Sequence, residues 1–226
     1  MDIKIKKFTI ILLAAMLPII LNCCGKNNNY KIKKHVGFLY PISITPIKDT
    51  INVGDTLWIN VDISDSLYDI GTQKKYYVPN CNFKDYFSVE RLIDKTKTIA
   101  EQEYAADKFN TYSTIGNISI GGAFAIDFIP IYENNRYRLS GALIAKDTGV
   151  FAVRAQNLSF EEPIPQIDLG KDEDGHQLLA IFGFTAYNIN NGNTHYNIFR
   201  QHCKPENNYN PVEWTEDKFA YTFVVK

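Results

Sequence analysis

The residues of this chain best suited to chemistry are four cysteines and four histidines, and their spacing limits what they can do. Cys23 and Cys24 are adjacent, whereas Cys81 and Cys203 stand alone. His195 and His202 are close enough in sequence to share one helix face, and His202 precedes Cys203, so a soft-metal site is conceivable. No acidic or further cysteine ligand stands at a matching spacing. No histidine pair, His35 and His176 included, has the His-Glu-x-x-His spacing of a zinc protease. Surface histidines are the simpler reading, and no metal or other cofactor is expected. Asp172-Glu173-Asp174-Gly175 carries part of the oxygen spacing of a calcium loop, but Gly170 occupies a ligand position, so a solvated turn is expected. Nucleophile elbows, phosphate-cradling glycine loops and dinucleotide fingerprints are absent from the sequence, and no catalytic residue is assigned.

The adjacent cysteines follow a distinctive segment. Lys4, Lys6 and Lys7 make a basic head, and Phe8 to Leu21 carry no charge. That apolar run is about 14 residues, shorter than the roughly 20 a spanning helix needs. A basic head, a short apolar core and a small-residue exit describe an export signal; a buried N-terminal helix is the alternative. Leu21-Asn22-Cys23-Cys24 resembles the lipobox of bacterial lipoproteins, in which an apolar residue stands three positions before a cysteine. The resemblance implies a signal peptide over 1–23, diacylglycerol on the Cys24 thiol with Cys23 as the alternative, and a cell-envelope protein held by its lipid. The outer membrane is the expected location, with its periplasmic or surface face left open. Each buried lipid CH₂ contributes about 0.8 kcal/mol, so two or three acyl chains anchor a protein where one would not. Residues 24–35 are polar and basic, as suits a flexible tether.

With the signal removed, Lys+Arg falls from 24 to 21 and Asp+Glu from 25 to 24, so the net charge moves from −1 to −3. No basic excess points to nucleic acid. Cys81 and Cys203 remain in the body, and export to an oxidising compartment makes them a disulfide candidate. Such a bridge would close a loop of about 120 residues and stabilise by about 4–5 kcal/mol on a chain-entropy argument. Two buried thiols are the alternative.

The elements that must position these residues read as strands. Leu57, Ile59, Val61 and Ile63 alternate with polar neighbours, the period of a half-buried strand. Residues 38–64 predict two strands broken at Val53-Gly54-Asp55, with Pro41 and Pro46 at an edge or strand end. Further strands are expected over 85–94, over 137–145 and 149–155, over 176–189 as one strand or a strand pair, and over 218–226. A long strand is expected over 118–132, with Ile118, Ile120, Phe124, Ile126 and Phe128 on one face and Gly121-Gly122 as a bulge or a close backbone approach. Thr98 with Glu101 fits a capping box, so a short helix competes with a polar loop there. Residues 160–175 predict a long acidic loop, and a short helix capped by Thr194 follows. A single elaborated β domain over 36–226 is expected, with a sub-boundary near residue 160 as the alternative.

The segments Ile51 to Ile63 and Tyr137 to Ala155 resemble the first hairpin and late strands of bacterial immunoglobulin-like domains. The resemblance implies a mainly β fold, an immunoglobulin-like antiparallel β-sandwich with a C-terminal elaboration and one or two short helices. Asp147-Thr148-Gly149-Val150-Phe151 is similar to the corner before that family's penultimate strand, with phenylalanine where a tyrosine hydroxyl would bond back to the chain. Asp-Ser/Thr-apolar triplets at Thr50, Thr56 and Ser66 resemble the O-glycosylation motif of Bacteroidetes-type envelope proteins. The sandwich fixes no function by itself. A non-catalytic binding or structural module with an unknown protein or glycan partner is expected. The alternatives are a carbohydrate-binding or adhesin-type module, which needs an exposed aromatic face from residues such as Trp58, Tyr76, Tyr77, Tyr209 or Trp214, and an envelope hydrolase, which needs a deep cleft with clustered titratable groups.

Overall fold

A computed structural model describes residues 31–81, 83, 85–92, 103–157, 167–171, 173–202 and 210–226. The chain divides into two compact units, Met1–Lys33 with Asp168–Leu179, and Lys34–Ile167 with Ala180–Lys226. In the smaller unit, a strand over Ile167–Lys171 (β14) pairs with the start of a strand over Gln177–Ile189 (β15). Asp168 organises this pair: its Oδ1 accepts the Gly170 N–H at 2.8 Å and its Oδ2 accepts from Gln177 Nε2 at 2.9 Å. The acidic loop expected over 160–175 therefore contains a strand. Glu173, Asp174 and Gly175 form the exposed turn that follows.

In the larger unit the strands form two sheets. The first contains β1 (Lys31–Thr45), β3 (Thr56–Ser64), β11 (Ile131–Glu133), β12 (Arg136–Ala145) and β15, in the order β11-β12-β3-β1-β15. The hairpin of β4 (Ser66–Asp69) and β5 (Lys74–Tyr77) joins β1, and β8 (Phe109–Ile115) joins β12. The second runs β2 (Thr50–Ile51), β16 (Ala220–Val225), β13 (Gly149–Asn157), β6 (Asp85–Arg91), β10 (Ala125–Ile129) and β9 (Asn117–Ile120), with β7 (Glu103–Tyr104) beside β6. This is the mainly β, sandwich-like fold expected from the sequence. In β3 the alternation holds as read, with Leu57, Ile59, Val61 and Ile63 all buried. Aromatic rings from the two sheets meet between them: Phe109 of β8 lies 5.1 Å from Phe151 of β13 and 6.0 Å from Phe223 of β16.

Four local expectations change. The stretch around Val53 is not a hairpin, because β2 pairs in parallel with β16 while β3 belongs to the other sheet. β1 is an interior strand, so Pro41 is not at an edge; it lies between the register with β4 at Phe38 and that with β3 from Ser43. The expected strand over 118–132 is a hairpin of β9 and β10 followed by β11, and Gly121-Gly122 sits in the hairpin turn, where Gly121 N–H donates to Ala125 at 2.9 Å. A Cβ on Gly121 would stand 2.7 Å from Asp127 Oδ1, which explains the small residue. Ile120 and Phe124 beside this turn are exposed rather than buried. The capping box at Thr98 and Glu101 lies outside the described residues.

The C-terminal strand β16 is buried on both faces, although its sequence alternates. Its outer side is covered by two short helices, α1 (Tyr196–His202) and α2 (Val212–Thr215). Trp214 and Phe199 stack at 4.0 Å within a cluster completed by Leu92, Ala152 and Ala220. The small Ala152 and Ala220 leave room for the indole, whose Nε1 donates to Thr222 Oγ1 at 2.8 Å. Thr194, expected to cap α1, donates its hydroxyl to the Trp214 carbonyl at 2.9 Å.

Candidate functional site

A groove of about 650 Å³ in the larger unit is the larger of two concave sites described below. Leu39 of β1 and Ala186, Tyr187 and Asn188 of β15 line it from one sheet, and Ala155 and Gln156 of β13 from the other. The segment Glu213 to Phe219, running from α2 toward β16, completes it with Glu216, Asp217 and Lys218. The opening follows from strand lengths. β16 begins at Ala220, opposite Arg154, so β13 runs on past the end of its neighbour.

Two buried polar groups stand at this groove. Arg154 projects to the side of β13 covered by α2, where its Nη2 pairs with Glu90 of β6 and its Nη1 with Glu213 Oε2 at 3.3 Å. Glu90 is 3% exposed and Glu213 16%, so one guanidinium serves two carboxylates in a nearly dry place. Burial, partly offset by Arg154, and repulsion from Glu90 and Asp217 raise the Glu213 carboxyl above its usual pKa.

The second group is Asp85, at the start of β6 and pointing between the sheets. Burial pushes its pKa up to about 7, against the opposing effect of a hydrogen bond from the Tyr187 hydroxyl. Because Tyr187 comes from β15 and Asp85 from β6, this bond ties the two sheets together. Around it Tyr40 packs edge-on against Phe83 and Tyr187, each at 5.9 Å. Burial, together with the nearby Asp85, raises the Tyr40 hydroxyl well above the usual tyrosine pKa.

A second pocket of about 460 Å³ surrounds His195. Its Nδ1 lies 3.0 Å from the Thr222 carbonyl and its Nε2 3.3 Å from Asp49 Oδ1, and the ring lies on Tyr221 with centroids 4.7 Å apart. The side chain is 8% exposed, so His195 is packed rather than a surface histidine. It precedes α1, where a backbone φ of 54° turns the chain into the helix. Together with Asp49 it forms a tether between the β1–β2 connection and β16. Among the described residues no group of three metal-capable side chains converges.

The residues singled out from the sequence are scattered. Cys23, Cys24, Cys203, Asp172 and Tyr209 lie outside the described residues. Cys81 forms no disulfide among the described residues, and burial pushes its thiol up to about 11, which keeps it protonated at neutral pH. Ser66 is exposed at the start of β4, whereas Thr50 and Thr56 are half-buried in paired strands. Trp214 is core rather than exposed, Trp58 and Tyr76 are half-buried, and Tyr77 is exposed. The expected corner at Asp147 does not use an aromatic hydroxyl. Arg91 takes its place: Nη2 donates to Asp147 Oδ2 at 2.7 Å and to the Thr148 carbonyl at 2.8 Å, with the guanidinium 5.4 Å from the Phe151 ring. This hydrogen bond also holds the Asp147 carboxyl below its usual pKa.

The sequence reading missed Asp85, Glu90, Arg154, Tyr187 and Glu213. A signal existed for two of them. Glu90 and Arg154 interrupt apolar strands at positions out of phase with the core residues Val89 and Val153, so strand period places them on the other face.

No family model matches the chain, and no curated protein matches it in sequence. Among solved structures, the reeler domain of human F-spondin is similar, at 10% identity over 70% of this chain and 93% of that one, with a TM-score of 0.29. A type II cohesin domain from the cellulosome of Acetivibrio cellulolyticus is similar at 9% identity, over 66% of this chain and 91% of that one, with a TM-score of 0.28. Likeness at this level carries no assignment of function.

Proposed function

We propose that this protein is a lipid-anchored, non-catalytic binding module of the bacterial cell envelope, and that it engages its partner through the groove beside Tyr187 and Glu213. The basic head at Lys4, Lys6 and Lys7, the uncharged run to Leu21 and the cysteine at position 24 support the anchor. The groove carries the binding reading: it is of a size that encloses ligand groups, and apolar walls alternate with a few polar side chains. The two carboxyls beside it whose pKa values burial raises are engaged in holding the fold, Glu213 by Arg154 and Asp85 by Tyr187, which favours binding over acid–base chemistry.

Labelling cells with an alkyne fatty acid tests the anchor. Label is expected on the wild type and is lost when both Cys23 and Cys24 are replaced; label that persists in that variant overturns it. A photo-cross-linking residue at Gln156, compared with one at Asn110 on the exposed side of β8, tests the groove. A discrete adduct from position 156 alone supports it, and equal adducts from both positions, or none from 156, overturn it.

A carbohydrate-binding reading has one observation in its favour. Tyr86, Phe124 and Tyr104 form a chain of rings 6.1 and 5.5 Å apart, with Phe124 and Tyr104 exposed. The rings meet at 80° and 52°, however, which leaves no coplanar platform for a sugar face. Glycan binding that is lost on Tyr104→Ala would favour this reading over the groove.

A further inference from the structure

The groove is unbalanced in charge and in hydrogen bonding. Glu213, Glu216 and Asp217 supply three lining carboxylates against one lysine, Lys218. Lys218 is turned elsewhere: its Cε and Nζ lie 3.2 and 3.5 Å from where a Cβ on Gly192 would stand, and Gly192 lines the His195 pocket. Arg154, the nearest other cation, is already divided between Glu90 and Glu213. Even so, the buried Glu90 Oε2 has no hydrogen-bond partner among the described residues, and neither has Asn188 Oδ1 in the groove wall. The Gln156 amide nitrogen donates to Ser88 Oγ at 3.1 Å, and its amide oxygen accepts from the Tyr86 hydroxyl at 2.6 Å. Acceptors and negative charge are in surplus, while Leu39, Ile70, Ala186 and Phe219 present apolar walls.

From this we infer that the groove receives a lysine or arginine side chain presented by a segment of a partner protein. The inference rests on the groove-binding reading above and names the chemistry of its partner. The apolar walls suit the methylene stem and the carboxylates of Glu216 and Asp217 suit the charged head, a division natural to these side chains. An anionic ligand would meet three carboxylates, and a purely apolar one would leave them facing it unpaired. A volume of about 650 Å³ exceeds what one small amine fills, and matches a basic side chain with part of its neighbours.

The test uses the full-length chain and a fluorescein-labelled octapeptide carrying two lysines among leucines, read by anisotropy. Acetylating both lysines, or combining Glu216→Gln with Asp217→Asn, is expected to weaken binding at least about ten-fold, and Ala186→Trp to abolish it by filling the groove. Both carboxylates are exposed, so their replacement leaves the core and the Arg154 cluster intact. Equal binding of the acetylated peptide, wild-type binding by the double variant, or no binding of the lysine peptide overturns the inference. If the peptide fails while position 156 still cross-links a partner, the groove stands and its preference for cations falls. If the cross-link is also absent, both fall.

Discussion

Arg91 on β6 and Arg154 on β13 each tie a strand to a neighbouring segment through a carboxylate, in very different surroundings. Arg91 and its partner Asp147 are 26% and 43% exposed, at a corner that water reaches. Arg154 lies under α2 with the buried Glu90 and Glu213. At the corner the ion pair positions a turn, and water can replace either partner. Under α2 water cannot, so each charge depends on the other and an unmatched carboxylate persists beside the groove. This cluster, which holds one cation between two acids, supplies one of the groove's three carboxylates, and the exposed Glu216 and Asp217 supply the others.

The largest effect is expected at Arg154. Arg154→Leu leaves Glu90 and Glu213 buried without their cation, and a loss of about 3–5 kcal/mol is expected in urea unfolding. A loss below the error of the titration would mean that the site is wetter than the geometry implies.

Asp85 differs from both, being buried between the sheets where a tyrosine hydroxyl, that of Tyr187, bonds to its carboxyl. Its folded pKa, about 7, lies above the ordinary 3.8, so the native state holds the proton more tightly than the unfolded chain. Its contribution is therefore most favourable below pH 3.8, declines as pH rises from about 4 to about 7, and levels off above. At about 1.4 kcal/mol per pKa unit the decline is on the order of 4 kcal/mol. Asp85→Asn is expected to flatten this decline, gaining on the wild type at pH 8 relative to pH 5 in parallel urea titrations. The same pH dependence in both proteins would show that Asp85 titrates normally.

Tyr137 is a neutral counterpart. Its buried hydroxyl donates to the Val78 carbonyl and accepts the Cys81 N–H at 2.9 Å, holding the loop before β6. Tyr137→Phe is expected to cost about 1–3 kcal/mol, since it strands two backbone groups. Unchanged stability would indicate that water replaces the hydroxyl there.

The smallest effect belongs to the corner. Asp147→Asn is expected to leave the urea midpoint unchanged at high salt, where exposed pairs are screened. A clear loss at high salt would place this pair in the same class as the Arg154 cluster.

Much of the fold is readable from local pattern. β3 and β12 show their buried faces in the sequence, because alternation records burial one residue at a time. The hairpin at Gly121, the interior position of β1 and the double burial of β16 are not readable, since each depends on which strand or helix lies alongside. The groove was less legible still. Its acids come from α2 and the turn beyond it, its apolar wall from β1 and β15, and the buried Asp85 behind it from β6. Only the phase of Glu90 and Arg154 against the core pattern hinted at it.

By itself the sequence determines a mainly β chain and a segment of export-signal composition ending at paired cysteines, because both are written in short-range composition and period. Tertiary structure alone decided that Arg154 serves two acids, that Asp85 is held by Tyr187 across the sheets, and that a corner without a tyrosine hydroxyl uses Arg91. Those outcomes depend on desolvation and on partners distant in sequence, and the energy of a buried charge is set by what surrounds it.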